Sequence, residues 1–160
     1  MDATTTTSPA AALEAHYRSY IDAINAQQFR LPTSTSSSVD SESTNETSLS
    51  AFVHDRVIHN SRTMTLKEYQ DLIASAFEHL PDIVFRIDKL VVNAERDTGT
   101  VACRILFHAC HPVNGKGTNF SGKIAGKDEV SFSEHVFYRF EQNKIAQVWS
   151  LVDWAAFEEI

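Results

Sequence analysis

The chain has 160 residues, 42% of them hydrophobic, which fits one globular domain with an ordinary core. Its 21 acidic and 14 basic residues give a formal charge of −7 without any basic cluster, so neither nucleic acid nor an anionic membrane is expected as a partner. No apolar run reaches the ~18 residues of a membrane helix, and the N-terminal sequence lacks the features of a secretory signal, so a cytoplasmic protein is expected.

The first part of the chain predicts two helices. Residues 1–9 are polar and are expected to be frayed. The first helix is predicted to begin near Ser8-Pro9, because apolar residues then recur at three-and-four spacing, namely at Leu13, Tyr17, Tyr20, Ile21 and Ile24. A second helix is predicted behind Thr65, which has Glu68 three residues later as in a capping box, and Pro81 is expected to end it.

Residues 31–50 form a polar segment between the two predicted helices. They are nearly all Ser, Thr, Asp, Glu and Asn, and such a composition buries too little apolar surface to offset the entropy of ordering. We therefore predict a flexible surface insertion. It is either a plain insertion or a phosphorylated or partner-binding segment.

Strands dominate the rest of the sequence. A short strand is predicted within 52–59, and four longer ones at 83–92, 100–110, 130–141 and 144–153. The last two form a hairpin across Gln142-Asn143. Helices first and antiparallel strands afterwards indicate a single α+β domain over residues 1–160, in which a curved sheet would leave a cavity beside the helices.

Five short segments, in this order along the chain, carry a family resemblance. They are Val57-Ile58-His59-Asn60, Leu80-Pro81-Asp82-Ile83-Val84-Phe85, Gly99-Thr100-Val101-Ala102-Cys103-Arg104, Phe132 to Phe140, and Lys144-Ile145-Ala146-Gln147-Val148-Trp149 with its ending at Asp153. Together they resemble the SnoaL-like polyketide cyclases of the nuclear-transport-factor-2-like superfamily. The resemblance implies a cone-shaped, cystatin-like barrel, a mixed or antiparallel curved sheet wrapped around the N-terminal helices, usually dimeric and with a pocket between sheet and helices.

The resemblance implies no single reaction, because this scaffold hosts many chemistries. Family members close polyketide rings by aldol-type reactions, and relatives include ketosteroid isomerases, scytalone-type dehydratases, epoxide hydrolases and proteins that only bind ligands. Two departures are visible, the insertion at 31–50 beside the expected pocket mouth and the residue at position 147. Gln147 stands where the family commonly has a glutamate, two residues before the tryptophan.

Asp153 is the predicted acid/base. It ends a strand whose alternate residues are Ile145, Gln147, Trp149 and Leu151, so strict alternation places it on their face. If that face lines the cavity, desolvation raises the pKa of Asp153 towards neutrality. The resemblance adds that the family's catalytic aspartate lies near this position. The alternative is a strand-end aspartate that caps the following turn.

His135 is the predicted partner of Asp153 on the neighbouring strand. It alternates with Ser133, Phe137 and Arg139, and antiparallel pairing puts it opposite Trp149 to Leu151. Imidazole titrates in the range where proton transfer is useful. The alternative is a half-buried histidine bonded to the backbone.

Further residues are predicted around the pocket. His59 and Asn60 resemble the family's His-Asn pair, and the Asn60 amide would donate to a substrate carbonyl or else serve the turn. Arg104 would hold a substrate carboxylate or enolic oxygen, although a salt bridge is the preferred interpretation. The aromatic residues Tyr20, Phe137 and Trp149 would contact substrate or simply pack in the core.

No metal, nucleotide or other cofactor is expected. The seven histidines and two cysteines form no HxH, HExxH or CxxC spacing, and no GxGxxG or P-loop occurs. Cys103 and Cys110 are interpreted as buried or idle thiols.

The favoured function is a cofactor-independent cyclase or isomerase that works by proton transfer on a polycyclic polyketide or meroterpenoid intermediate of secondary metabolism. The expected partners are that small apolar substrate and a second copy of the chain. Two alternatives remain open: a dehydratase of the scytalone type on the same scaffold, or a non-catalytic module for ligand binding or dimerisation.

Overall fold

The computed structural model describes residues 7–29, 48–110, 112–113 and 128–153. Within these ranges the chain forms two α-helices and six strands, with a one-turn 3₁₀ helix at Leu49–Ala51. In chain order the elements are α1 (Pro9–Asn25), β1 (Val53–His59), β2 (Arg62–Thr65), α2 (Leu66–His79), β3 (Val84–Ala94), β4 (Thr98–Ala109), β5 (Val130–Glu141) and β6 (Lys144–Asp153). No helix among them is long and apolar enough to cross a membrane.

Both predicted helices are confirmed, and both begin at the predicted caps. The Ser8 hydroxyl accepts the Ala11 N–H at 3.2 Å, with Pro9 in the first turn of α1. At α2, the Thr65 hydroxyl accepts the Glu68 N–H at 3.2 Å while the Glu68 carboxylate accepts the Thr65 N–H at 2.8 Å. This reciprocal capping box satisfies amides that the helix itself leaves unbonded.

The six strands form one mixed sheet in the order β2-β1-β6-β5-β4-β3. β1 and β6 run parallel, and every other neighbouring pair runs antiparallel. The sheet is curved and unclosed, and the helices lie with it in the predicted cone-shaped α+β arrangement. β2, a short strand that pairs with β1, was not predicted.

The β5–β6 hairpin fixes the two strands that matter most for the cavity. Gln142 and Asn143 have φ values of 50° and 61°, the left-handed pair that a type I′ turn requires. Its twist matches that of the flanking strands, and β6 pairs with β5 from Lys144 opposite Glu141 to Asp153 opposite Ser133, with one register shift. Both strands have the predicted bounds.

The core lies between the helices and one face of the sheet, which we call the inner face. Along β4 and β5 buried residues alternate with more exposed ones, so each strand directs every second side chain inwards. α1 crosses the sheet closely enough that a Cβ at Gly99 would collide with Leu13. This close approach explains why that position on β4 is a glycine.

Two predicted boundaries were wrong. Ser48–Ser50 do not belong to a flexible insertion, because Ser48 caps the 3₁₀ helix and Leu49 is buried in the core. The frayed N-terminal segment was drawn too long, since α1 already begins at Pro9. Residues 1–6 and the remaining insertion residues, 31–47, lie outside the described residues, so the prediction of flexibility there stays a prediction.

Candidate active site

A cavity of about 580 Å³ lies between the inner face and the two helices. Its wall is mainly aliphatic and aromatic. The polar side chains that its chemistry depends on come from five elements, and they are Tyr20, His59, Tyr69, Glu134, Tyr138 and Ser150. An apolar cavity of this size with a few converging polar groups is typical of a small-molecule site.

Glu134 is the one acidic residue among the described residues that line the cavity. It lies on β5 between Phe132 and Val136, which are both buried in the inner face. Burial raises the pKa of the Glu134 carboxyl, and a hydrogen bond with the Ser150 side chain opposes that rise. The group is therefore closer to accepting and releasing a proton near neutrality than a surface glutamate is.

Ser150 connects Glu134 to His59. The Ser150 Oγ lies 3.3 Å from His59 Nε2, in addition to its hydrogen bond with the Glu134 carboxyl. Burial lowers the pKa of His59, so the imidazole favours its neutral form. A carboxyl, a hydroxyl and an imidazole thus form one hydrogen-bonded row in the cavity wall.

Asn60 holds this row in position through the backbone. Its Oδ1 accepts the Ser150 N–H at 2.8 Å, and its Nδ2 donates to the Ser150 carbonyl at 3.0 Å. The Asn60 φ of 45° lies in the left-handed region, which asparagine tolerates better than most residues. The Asn60 side chain therefore acts as an extra strand residue beside β6, which favours the turn role over donation to a substrate.

Three tyrosines place hydroxyl groups in the same cavity. The Tyr20 and Tyr69 hydroxyls lie 3.1 Å apart, and Tyr138 packs its ring against Tyr20 at a centroid distance of 6.2 Å. Burial raises the pKa of Tyr69 to about 12 and that of Tyr20 and Tyr138 well above the ordinary value, with the nearby Glu134 charge contributing to each. These phenols stay protonated and can donate to an oxygen that gains negative charge.

Three of the predicted site residues line the cavity. Tyr20 is fully buried in its wall, His59 is half-buried there, and Asn60 lies at its edge. A role for these three residues in the site stays a prediction. The structure adds that these residues meet Ser150 and Tyr69.

Other predicted site residues lie on the opposite, outer face of the sheet. Phe137 is 52% exposed and Trp149 is 42% exposed, and the two are paired across β5 and β6. His135 is exposed and pairs with Leu151, as the hairpin predicted. The prediction that this face lines the cavity is wrong, so these three residues do not surround the site.

Asp153 and Arg104 also lie away from the cavity. Asp153 is half-buried, pairs with Ser133 and is absent from the described cavity wall. Arg104 donates to Asp88 at 2.7 Å and to Ser133 at 3.3 Å, the salt-bridge interpretation preferred from the sequence. The Arg104 guanidinium holds the pKa of Asp88 below its ordinary range. Catalysis by Asp153 and His135 stays a prediction, but it assumed that both residues line the cavity, and neither of them does.

An irregularity in β6 explains the wrong face. The register changes so that Phe140 pairs with Ile145 while Arg139 pairs with Gln147, which leaves Ala146 as an extra residue. Such a bulge moves every later side chain to the other face relative to strict alternation. Val148, Ser150 and Val152 therefore line the cavity, and Trp149 points outwards. Leu151, on the same face as Trp149, also borders the cavity but is 71% exposed.

Glu134 could have been found from the sequence. On β5 the residues at even positions are apolar apart from this glutamate, running Phe132, Glu134, Val136, Tyr138 and Phe140. An apolar register marks the buried face of a half-buried strand, and one carboxylate within it signals function. The odd-numbered positions of β5, which include His135, are mostly polar.

Among the described residues, no group of three or more His, Cys, Asp or Glu side chains is arranged to hold a metal ion. The polar groups that the cavity does assemble are a carboxyl of raised pKa, a neutral imidazole and protonated phenols. Such groups can move a proton and stabilise an oxyanion.

A curved mixed sheet with two helices over its inner face and a cavity between them defines the nuclear-transport-factor-2-like cone fold. The sequence model of the SnoaL-like polyketide cyclases matches residues 37–159. The chain belongs to the SnoaL-like polyketide cyclase family. A search of curated protein sequences finds no significant match.

Solved structures agree with this assignment. A SnoaL-like polyketide cyclase from Agrobacterium tumefaciens strain C58 is 32% identical, with a TM-score of 0.66 over 91% of this chain and 94% of that chain. TsrD from Streptomyces laurentii is 15% identical, with a TM-score of 0.59 over 92% of each chain. IdmH from Streptomyces antibioticus, provisionally assigned as a polyketide cyclase, is 10% identical, with a TM-score of 0.62 over 91% of this chain and 95% of that chain. The last two likenesses show the fold alone.

Proposed function

We propose that the protein is a cofactor-independent cyclase or isomerase that enolises an uncharged polycyclic polyketide or meroterpenoid. The observation that carries this proposal is the Glu134 carboxyl, the one acidic group among the described residues of an apolar cavity, beside a hydroxyl-bonded imidazole. Family membership supports the substrate class.

The proposed reaction begins with removal of a proton from carbon next to a substrate carbonyl. Glu134 accepts that proton, because burial makes its protonated form favourable. The carbonyl oxygen becomes an enolate oxygen, and a hydroxyl of the Tyr20–Tyr69 pair donates to it. The enolate carbon then attacks a second carbonyl of the same molecule, or is reprotonated at a different carbon.

The proton returns in the second half of the reaction. In ring closure, the new alkoxide takes a proton from protonated Glu134, which restores the carboxylate. Ser150 and His59 keep the carboxyl oriented and give the proton a second hydrogen-bonded location. No atom is gained or lost, so the product is an isomer of the substrate.

The cavity wall favours an uncharged substrate. None of its described lining residues is a lysine or arginine, and its two histidines, His59 and His79, are half-buried or buried. A substrate carboxylate would therefore lose water without gaining a cationic partner, which is costly in an apolar site. A volume of about 580 Å³ is in the range that encloses a molecule of several fused rings.

The first test needs no substrate. Glutamate labelled with ¹³C at the side-chain carboxyl is incorporated, and the Glu134 resonance is assigned by its loss in Glu134→Gln. The proposal expects a pKa above that of the exposed residues Glu95 and Glu129 in the same spectra. An ordinary value for Glu134 contradicts a role as acid/base.

The second test measures enolisation. Exchange of α-protons for deuterium is followed by NMR on a panel of neutral bicyclic and tricyclic ketones, with and without EDTA. Glu134→Gln is expected to slow exchange roughly 10²–10⁴-fold, whereas Asp153→Asn, away from the cavity, is expected to change it little. If Asp153→Asn loses the exchange activity and Glu134→Gln keeps it, the base is Asp153, as predicted from the sequence. Tight binding of the ketones without exchange would favour the non-catalytic binding module.

A further inference from the structure

A second group of reactive side chains lies outside the cavity, where β4 ends and β5 begins. It consists of Cys110, His108 and Glu129, which we call the thiol site. None of the three lines the cavity, and the proposed function uses none of them. Cys110 is exposed and Cys103 is buried, so burial, one of the two interpretations of the thiols from the sequence, applies to Cys103 alone.

The three groups are arranged as nucleophile, base and orienting group. Cys110 Sγ lies 3.4 Å from His108 Nε2. His108 Nδ1, on the other side of the ring, lies 2.9 Å from Ser131 Oγ and 3.5 Å from Glu129 Oε1. If Nδ1 carries the ring proton, it donates to Ser131 or Glu129, and Nε2 is left to accept from the thiol.

The backbone keeps Cys110 in this position. Its N–H donates to both oxygens of the Asp82 carboxylate at 3.1 Å, which ties the end of β4 to the turn after α2. His108 and Ser131 are directly paired residues of β4 and β5. The strand pairing therefore fixes His108, and the hydrogen bonds from the Cys110 N–H to Asp82 fix Cys110.

We propose that Cys110 is a nucleophilic thiol that forms mixed disulfides with low-molecular-weight disulfides. His108 takes the thiol proton, and the Cys110 thiolate attacks one sulfur of the small disulfide. A new bond forms between Cys110 Sγ and that sulfur as the old sulfur–sulfur bond breaks. The released thiolate takes the proton from His108, so one disulfide is exchanged for another with no other reactant.

The charges around the thiol site act in two directions. Glu129 beside Nδ1 stabilises protonated His108, and protonated His108 in turn stabilises the Cys110 thiolate. The Asp82 carboxylate, bonded to the Cys110 N–H, opposes the thiolate. His108 and Glu129 are about half exposed, with side-chain exposures of 48% and 63%, so the net gain in reactivity is moderate rather than protease-like.

Oxidised glutathione is the probe for the test. The full chain is incubated with it from pH 6 to 9, and mixed disulfide formation at each cysteine is quantified by peptide mass spectrometry. We expect Cys110 to react at pH 7 roughly tenfold faster than N-acetylcysteine, because His108 Nε2 lies within reach of the thiol proton. His108→Gln should abolish this advantage and move the pH profile to higher pH.

Two controls keep the outcome clear. His135→Gln removes an exposed histidine elsewhere on the sheet and should leave the Cys110 rate unchanged. Cys103, being buried, should stay unmodified in every folded variant, so its modification reports unfolding. Cys110 that reacts no faster than N-acetylcysteine, or equally fast in folded His108→Gln, would overturn the proposal.

Discussion

A carboxyl group inside an apolar cavity loses hydration when it ionises, and Glu134 is in that position on β5. Burial raises its pKa, and the same burial lowers the pKa of His59 across Ser150. Both groups are therefore pushed towards their neutral forms rather than towards an ion pair. In the proposed reaction the negative charge passes from the Glu134 carboxylate to the enolate oxygen of the substrate, where the Tyr20–Tyr69 pair can donate a hydrogen bond to it.

The raised pKa of Glu134 predicts a pH-dependent cost in stability. A folded-state pKa above the unfolded one means that the folded protein binds more protons, so stability falls as pH rises from about 4.5 through the folded pKa. Glu134→Gln removes this cost. We expect the variant to be more stable than the native chain at pH 7–8, as measured by urea denaturation.

The difference between the two proteins should disappear near pH 4, where the Glu134 carboxyl is protonated in the folded and unfolded states alike. Glu95→Gln, at an exposed position outside the cavity, serves as the control and should follow the native curve. The contrary result is a variant that loses stability relative to the native chain as the pH is raised from 4 to 8. It would show that ionised Glu134 stabilises the fold.

At the scale of elements, α2 carries a tyrosine of the cavity within its first turns. Tyr69 follows the cap residue Thr65 by four positions, and its hydroxyl meets Tyr20 of α1. The capping box therefore positions a proposed oxyanion donor as well as starting a helix. A frayed first turn would loosen the contact between the two phenols.

We predict that Thr65→Ala destabilises the protein by about 1 kcal/mol, the usual cost of losing a threonine cap. The variant loses the hydroxyl that accepts the Glu68 N–H, although the Glu68 carboxylate can still reach the residue 65 N–H. Thr63→Ala, also an exposed threonine on β2, is the matched control and should change stability by a few tenths of that amount. If Thr65→Ala and Thr63→Ala lower the free energy of unfolding equally in chemical denaturation, the Thr65 cap does not contribute specifically to stability.

At the scale of the whole molecule, the outer face of the sheet carries an apolar row that crosses four strands. The register pairs Trp149 with Phe137, Phe137 with Ala102, and Ala102 with Val91. Three of these residues are exposed, at 42%, 52% and 67% for Trp149, Phe137 and Val91. A continuous exposed apolar surface of this kind marks a protein interface more often than a free surface.

The family resemblance implied a dimer, and we expect a second copy of this chain to cover that row. Phe137→Lys should turn a dimer into a monomer in sedimentation equilibrium while leaving the fold intact, because position 137 already faces solvent within one chain. Val84→Lys, an exposed apolar position near the start of β3, is the control and should remain dimeric. A native chain that sediments as a monomer would contradict this expectation.

The sequence by itself determined both helices and every strand except β2, because caps, periodicity and turn residues act over a few neighbouring positions. Thr65 and Glu68 determined where α2 begins, and Gln142-Asn143 determined the β5–β6 hairpin with the correct bounds. The family motifs determined the fold, and they placed the His59-Asn60 pair at the cavity.

Only the tertiary structure decided which face of β6 surrounds the cavity. The extra residue Ala146 reverses strict alternation, and a bulge depends on pairing with other strands rather than on local sequence. The inward placement of Glu134 and its meeting with Ser150 and His59 depend on packing against both helices. The raised pKa follows from that enclosure, since the loss of water around a group is a property of the folded molecule and not of its neighbours in sequence.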